Sequence, residues 1–327
     1  MIATKFFRTL AQMTMTGLLL TVAGSAAAQQ PYPTKPVRMV VPYAPGGSTS
    51  ALAQLVAKQL GDLWGHQVLV DHRSGGNTVI GSDHVAKSAP DGYTLMMTSN
   101  AHVVIPQLVA TPFDPIKDFV PIAAVSSTEL VLVVHPAVQA NTLQEFIALA
   151  KSRPGSIDYA SAGSSSATHL AGELLNTLAG IKLQHVPYKG SGPAISDLLG
   201  GHVQASFQTP IVAIPYIRSG KLKALAVSGD NRLAAVPQIP TFTEAGLAGF
   251  NAATWFGVVA PAETPRPIVE KVAQDIRKIL ATPEFTERLG SLGLDPFYKT
   301  PAQFADLMKS DMARFARIIK TSNIKLD

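Results

Sequence analysis

The chain has 327 residues, a formal net charge of +5, no cysteine, and 46% hydrophobic residues. The lack of cysteine excludes disulfides, thiolate metal centres and a cysteine nucleophile. The hydrophobic content excludes a disordered chain, and a mild positive charge without a lysine/arginine run excludes a nucleic-acid footprint.

Residues 1–28 read as a secretory leader. Lys5 and Arg8 charge its start, Leu10 to Gly24 is mostly apolar, and Ser25 to Ala28 supplies small residues for cleavage before Gln29. The apolar run is too short and too threonine-rich for a membrane anchor. No cysteine follows it to carry a lipid. Without Lys5 and Arg8 the charge is +3, from 25 basic and 22 acidic residues. The mature chain is expected to be soluble and exported, with length for about two domains.

Val37 to Val41 reads as a buried strand, Gly46-Gly47 as a sharp turn, and Ser48 as the cap of a helix that stops at Gly61. A helix start offers free N–H groups and partial positive charge, which suits a carboxylate or phosphate. A strand from Gln67 to Val70 leads through Arg73 to the loop Ser74 to Thr78 and a second helix. Tyr93 to Thr98 is a third strand, ending at Ser99 to His102. The apolar stretch Val120 to His135 is broken at Ser126 to Thr128 and reads as two strands with a hinge near Thr128 to Leu130. Thr142 to Ser152 is a helix capped by Asn141 or Thr142.

The pattern then repeats. Ile157 to Ser161 is a strand, Ala162 to Ser166 a small-residue turn, and a helix follows. Leu183 to Val186 leads to the loop Tyr188 to Gly192 and another helix, then to the strand Val203 to Phe207. Gly46 to Gly75 and Gly163 to Gly192 both span 29 positions. One strand–glycine–helix turn is often only a tight connection. Two at equal spacing favour paired α/β lobes holding a ligand at the carboxyl ends of their strands. Lys221 to Val227 is a strand, Pro237 to Gly246 a loop with a short helix, and Thr254 to Ala260 a strand returning to the first lobe. Pro265 and Pro283 start short helices, and Thr300-Pro301 caps a final amphipathic one. The expected fold is α/β and two-lobed, of the type II binding-protein kind. Residues 29–129 plus 254–327 form one Rossmann-like lobe and 130–253 the other, joined by two crossing segments.

Several motifs carry a resemblance: Pro42 to Ser48, Ala86 to Leu95, Phe113 to Phe119, Tyr159 to Gly163, Val186 to Gly190, Pro240 to Gly246 and Trp255 to Pro261. As an ordered set through nearly the whole mature chain, they resemble the tripartite tricarboxylate transporter solute-binding proteins, the Bordetella uptake gene family. The resemblance implies a periplasmic receptor for a small carboxylate, delivered to integral-membrane permease subunits. It implies carboxylates held by backbone N–H groups, small hydroxyls and water, without an arginine clamp. The sequence departs from the family pattern where Ser50 stands for an aspartate, where Ser74 to Thr78 replaces Pro-Gly-Ala-Gly-Gly, and where Gln208 stands for an aspartate.

The candidate ligand-binding residues are Tyr43, Gly46, Gly47 and Ser48 at the first turn. Ser161, Ser164 and Ser165, with Ser166, are their counterparts in the other lobe. Asn77, Asn100, His169, Tyr188, Gln208 and Trp255 complete the set. Each has a plainer reading: capping for the serines, turns for the asparagines, a structural histidine, and a core tryptophan. Arg73 and Lys189 could draw anions to the cleft or be solvated loop charges.

Catalysis is not expected. Neither serine-rich turn is a Gly-x-Ser-x-Gly elbow, and the stretch Gly76 to Ser82 has phosphate-loop spacing without its lysine. The eight histidines show no metal-site spacing beside a carboxylate, so neither cofactor nor metal is expected. A monomeric transport receptor is the leading reading. A periplasmic sensor feeding a two-component kinase and a serine hydrolase are the alternatives.

Overall fold

The computed structural model describes residues 32–321; the expected leader lies outside them. Eleven strands form two sheets among these residues. The first is built on β1 (Val37–Val41), β2 (Val68–His72) and β3 (Thr94–Ser99), with β4 (Phe119–Glu129), β10 (Ala253–Pro261) and β11 (Asp295–Lys299) added, in the order β11-β4-β10-β3-β1-β2. The second contains β5 (Val131–Val134), β6 (Asp158–Ser161), β7 (Gln184–Pro187), β8 (Ala205–Gln208) and β9 (Lys223–Val227), in the order β7-β6-β8-β5-β9. Each sheet has three parallel strands, β2-β1-β3 and β7-β6-β8. Each then continues through an antiparallel strand, β10 or β5. The halves therefore share one strand plan, the two-lobed α/β architecture expected from the sequence.

The chain leaves the first sheet at Glu129 and enters the second at Val131. It returns between Val227 and Ala253. The two crossings are tied together. Leu130 N–H donates to Ser228 Oγ at 2.8 Å, and Ser228 N–H donates to Leu130 O at 2.9 Å.

Helix α1 (Ser48–Trp64) follows β1, and α2 (Val79–Ala86) follows the loop after β2. A short α3 (Ala101–Val104) follows β3. In the second half α4 (Leu143–Ser152) is capped by Thr142, whose hydroxyl accepts from Glu145 N–H. Helices α5 (Ala167–Ala179), α6 (Ser191–Leu199) and α7 (Pro210–Arg218) follow β6, β7 and β8. Helices α8 (Arg266–Leu280), α9 (Pro283–Ser291) and α10 (Pro301–Thr321) return to the first sheet. No helix among the described residues is long and apolar enough to cross a membrane.

Several local expectations need correction. Helix α1 passes through Gly61 and stops at Gly65, whose φ of 67° supplies the left-handed C-cap. Its N-cap is Gly47, not Ser48. Strand β4 runs unbroken through Ser126 to Thr128. Ser126 Oγ donates to Asp295 O and Thr128 Oγ1 to Gly293 O, both at 2.8 Å, so these hydroxyls stitch the strand to the neighbouring β11 segment. Pro237 to Gly246 forms turns rather than a helix. Glu244 and Thr241 bond as a capping box does, but the chain turns away at Gly246. Strand β11 and helix α7 had no counterpart in the sequence reading.

Candidate ligand-binding cleft

Four helices of eight residues or more begin at one cavity. Gly47, Ser48 and Thr49 bring the start of α1; Ser166, Ala167 and Thr168 that of α5; Ser191 that of α6; and Thr209, the N-cap, that of α7. The rest of the lining includes Tyr43, Ser99, Asn100, Leu130, Ala162, Thr254 and Phe256. None of the lining residues is charged. The first N–H groups of a helix have no acceptor within it, so this cavity is electropositive without a cation. Its void is about 30 Å³, close to the volume of one water.

The side chains around it divide into engaged and unengaged groups. In the second half the hydroxyls mostly bond the turn itself. Ser161 Oγ is 2.6 Å from His185 Nε2 and accepts from Gly163 N–H at 3.1 Å. Ser166 Oγ donates to Gly163 O at 2.6 Å and accepts from His169 N–H at 3.2 Å as the cap of α5. Thr168 Oγ1 accepts from Ala162 N–H. His169 Nδ1 is 2.5 Å from Ser164 O, and its ring stacks on His185. By contrast, Asn100 Nδ2 and Thr209 Oγ1 line the cavity, are buried, and have no partner; Gln208 Oε1 and Thr98 Oγ1 nearby are equally unpaired. Buried polar atoms are rarely left so, and an unpaired one at a cavity is open to a water, an ion or a ligand.

Tyr43 is buried, and its hydroxyl is 2.7 Å from Ser99 Oγ; burial pushes its pKa up to about 12, so it is a neutral phenol. It also lines a second cavity of about 270 Å³, with Asn77, Thr78, Ser164, Tyr188 and Lys189. Tyr188 donates to Asp197 Oδ2 at 2.6 Å; burial first, then that carboxylate, raises its pKa to about 12.

The two halves touch reciprocally. The first turn of the first half meets the second loop of the other: Ala44 N–H donates to Lys189 O at 2.8 Å, and a Cβ on Gly192 would lie 2.1 Å from Pro45 O. The first turn of the second half meets the second loop of the first: Ser164 N–H donates to Asn77 Oδ1 at 3.2 Å. Asn77 and Thr78 have φ of 51° and 82°, unusual for asparagine and rare for a β-branched residue.

Of the sequence candidates, Tyr43, Gly47, Ser48 and Asn100 line the first cavity, and Asn77, Ser164 and Tyr188 the second. Gly46 lies at the contact between halves, 3.4 Å (as Cβ) from Gly192 Cα. Ser161, Ser165, His169 and Gln208 are buried beneath the turns, outside the lining. Trp255 faces the core: its Nε1 donates to Asp311 Oδ2 at 2.7 Å and its ring meets Phe304 edge-on. Strand alternation places Thr254 and Phe256 on the cavity side instead. Ser50 turns away to His72 Nε2 at 2.7 Å. Thr49, Ser99, Ser191 and Thr209 line the cavity in addition to the sequence candidates; the only sequence signal for them is position beside a glycine turn or a strand end. Arg73 is held by Asp71 at 2.8 Å.

Comparison with known proteins agrees with this geometry. A model of the tripartite tricarboxylate transporter family receptor matches residues 52–324. Protein BugT of Bordetella pertussis is 36% identical over 315 residues, covering 95% of this chain and 97% of BugT. A solved periplasmic transporter superposes with a TM-score of 0.88 at 36% identity, over 91% of this chain and 100% of that one. An R. palustris protein with adipate gives 0.88 at 31% identity, over 90% and 99%. MatC from Rhodopseudomonas palustris with bound malate gives 0.84 at 30%, over 88% and 100%. The chain therefore belongs to the tripartite tricarboxylate transporter receptor family, whose members are solute-binding receptors and not enzymes.

Proposed function

We propose that the chain is an exported, monomeric receptor that captures a small organic carboxylate in this cleft and delivers it to integral-membrane permease subunits. The observation that carries the reading is the convergence of four helix starts from both halves on one uncharged cavity. Such a site rewards an anion, and a carboxylate fits donors set on two sides. Relatives about 30% identical, bound to adipate and malate, support the same class of ligand.

A void near 30 Å³ is smaller than such a ligand, so binding requires the halves to part and reclose. Residues 29–129 with 254–327 then move against 130–253, and the paired Leu130 and Ser228 form the pivot. On closure, backbone N–H groups of Ser48, Thr49, Ala167 and Thr168 hold one carboxylate, while Asn100 and Thr209 take the remaining oxygens. Asn77 and Ser164 fasten the opposite side.

A melting-temperature screen with malate, succinate, citrate, adipate, octanoate and 3-phenylpropionate tests this. At a hundred times the dissociation constant, a ligand adds about 2.7 kcal/mol, or a rise of about 4 °C for a chain of this length. A panel with no shift removes the carboxylate assignment. Deleting the gene should abolish uptake of the active compound; lost gene induction with intact uptake would point to a sensor.

A further inference from the structure

A cavity of about 320 Å³ adjoins the small one and shares Asn100 and Ala167 with it. One face of α5 lines it, through Ala167, Leu170, Ala171 and Leu174, which recur at helical spacing. Phe315 of α10 closes the other side, packed with Leu170 and Val104 in an apolar cluster. Arg314 also lines it. Its Nε donates to Asp311 Oδ1 at 3.1 Å and its guanidinium lies 4.4 Å from the Phe315 ring centre. That cation is compensated in place, and its stem covers apolar surface. Asn100, 1% exposed, lines both cavities, with its Nδ2 unpaired and its Oδ1 held by Thr254 Oγ1 at 3.0 Å.

We propose that this pocket is a second compartment of the cleft, taking the apolar body of an organic acid whose carboxylate sits among the helix starts and meets Asn100 Nδ2. This rests on the carboxylate reading above. A polar anion site beside an apolar space of this size, about ten groups of water volume, suits an aliphatic or aryl-alkyl acid better than a compact hydroxy acid. Its walls are mostly apolar, with Asn100 and Asn251 as the neutral polar side chains, and its single cation is already paired.

The test is calorimetric titration of the purified chain with butyrate, hexanoate, octanoate and 3-phenylpropionate, with malate alongside. Each buried methylene should tighten binding about fourfold, so octanoate should bind at least about tenfold tighter than butyrate. Leu174→Trp should bring the two within about threefold. Should that variant not fold, Ala253→Phe, at an exposed position on the same pocket, serves instead. Malate binding together with a flat chain-length series, or an unchanged series in a folded variant, overturns the compartment and leaves the carboxylate reading standing. Binding of neither malate nor any member of the series overturns both.

Discussion

The two halves share a strand plan yet build their second loops from different residues. In the second half, the loop after β7 ends at Gly190, α6 opens with Ser191 and Gly192, and Gly192 lets Pro45 approach to a distance no side chain permits. In the first half, the loop after β2 carries Asn77 and Thr78 at positive φ, where glycine is the usual residue. One half meets its partner by removing side chains. The other adds one, and the Asn77 to Ser164 hydrogen bond, worth about 1 kcal/mol, offsets part of a backbone strain of about 1–3 kcal/mol per residue. Backbone complementarity and side-chain bonding are thus alternative routes to the same closed contact.

The largest effect should come from the glycine side. Gly192→Ala places a methyl against Pro45 O. It should hold the halves apart and weaken carboxylate binding about a hundredfold, because the competent state becomes a minor one. Titration with small-angle scattering checks this; wild-type affinity and ligand-induced compaction would show that the glycine contact does not govern closure.

Acid should distinguish the halves next. His102, in the first half, is fully buried, with Phe119 edge-on and Phe113 stacked; Nε2 donates to Pro115 O at 3.0 Å, and Nδ1 has no partner. Burial lowers its pKa from 6.5 to about 4. Between those values the unfolded chain binds a proton that the folded chain does not. Stability is therefore complete above pH 6.5, falls as pH drops towards 4, and levels off below. The loss is about 3 kcal/mol. Denaturant unfolding of wild type and His102→Gln across this range should show the fall in wild type alone.

The asparagine side gives smaller effects. Asn77→Gly keeps the backbone free to adopt positive φ but removes the bond to Ser164, so affinity should fall about fivefold, the worth of one net hydrogen bond. Thr78→Gly removes a strained β-branched residue whose buried Oγ1 is unpaired. Ligand-free stability should rise by about 1 kcal/mol, read as a higher melting temperature. A lower melting temperature would mean that Thr78 is not strained in solution.

Much of this was legible in the sequence because it is local. Most of the strands, the glycine turns, the proline-led starts of the last helices and the equal 29-residue spacings depend on neighbours a few residues away, and spacing along a strand–helix unit is set by backbone geometry. Family membership follows from such motifs in order. Other features were settled only by distant contacts. Trp255 and its neighbours Thr254 and Phe256 differ in facing, which the sequence alone leaves ambiguous for a strand buried on both sides. Ser126 to Thr128 looks like a break until β11 supplies carbonyls for its hydroxyls. The serines of the second turn look alike in sequence, yet several are occupied within the turn, while Asn100 and Thr209 keep unpaired atoms at the cavity. Which polar atom is spent and which is left over depends on how each turn closes on itself and on what packs against it, so only the folded chain decides it.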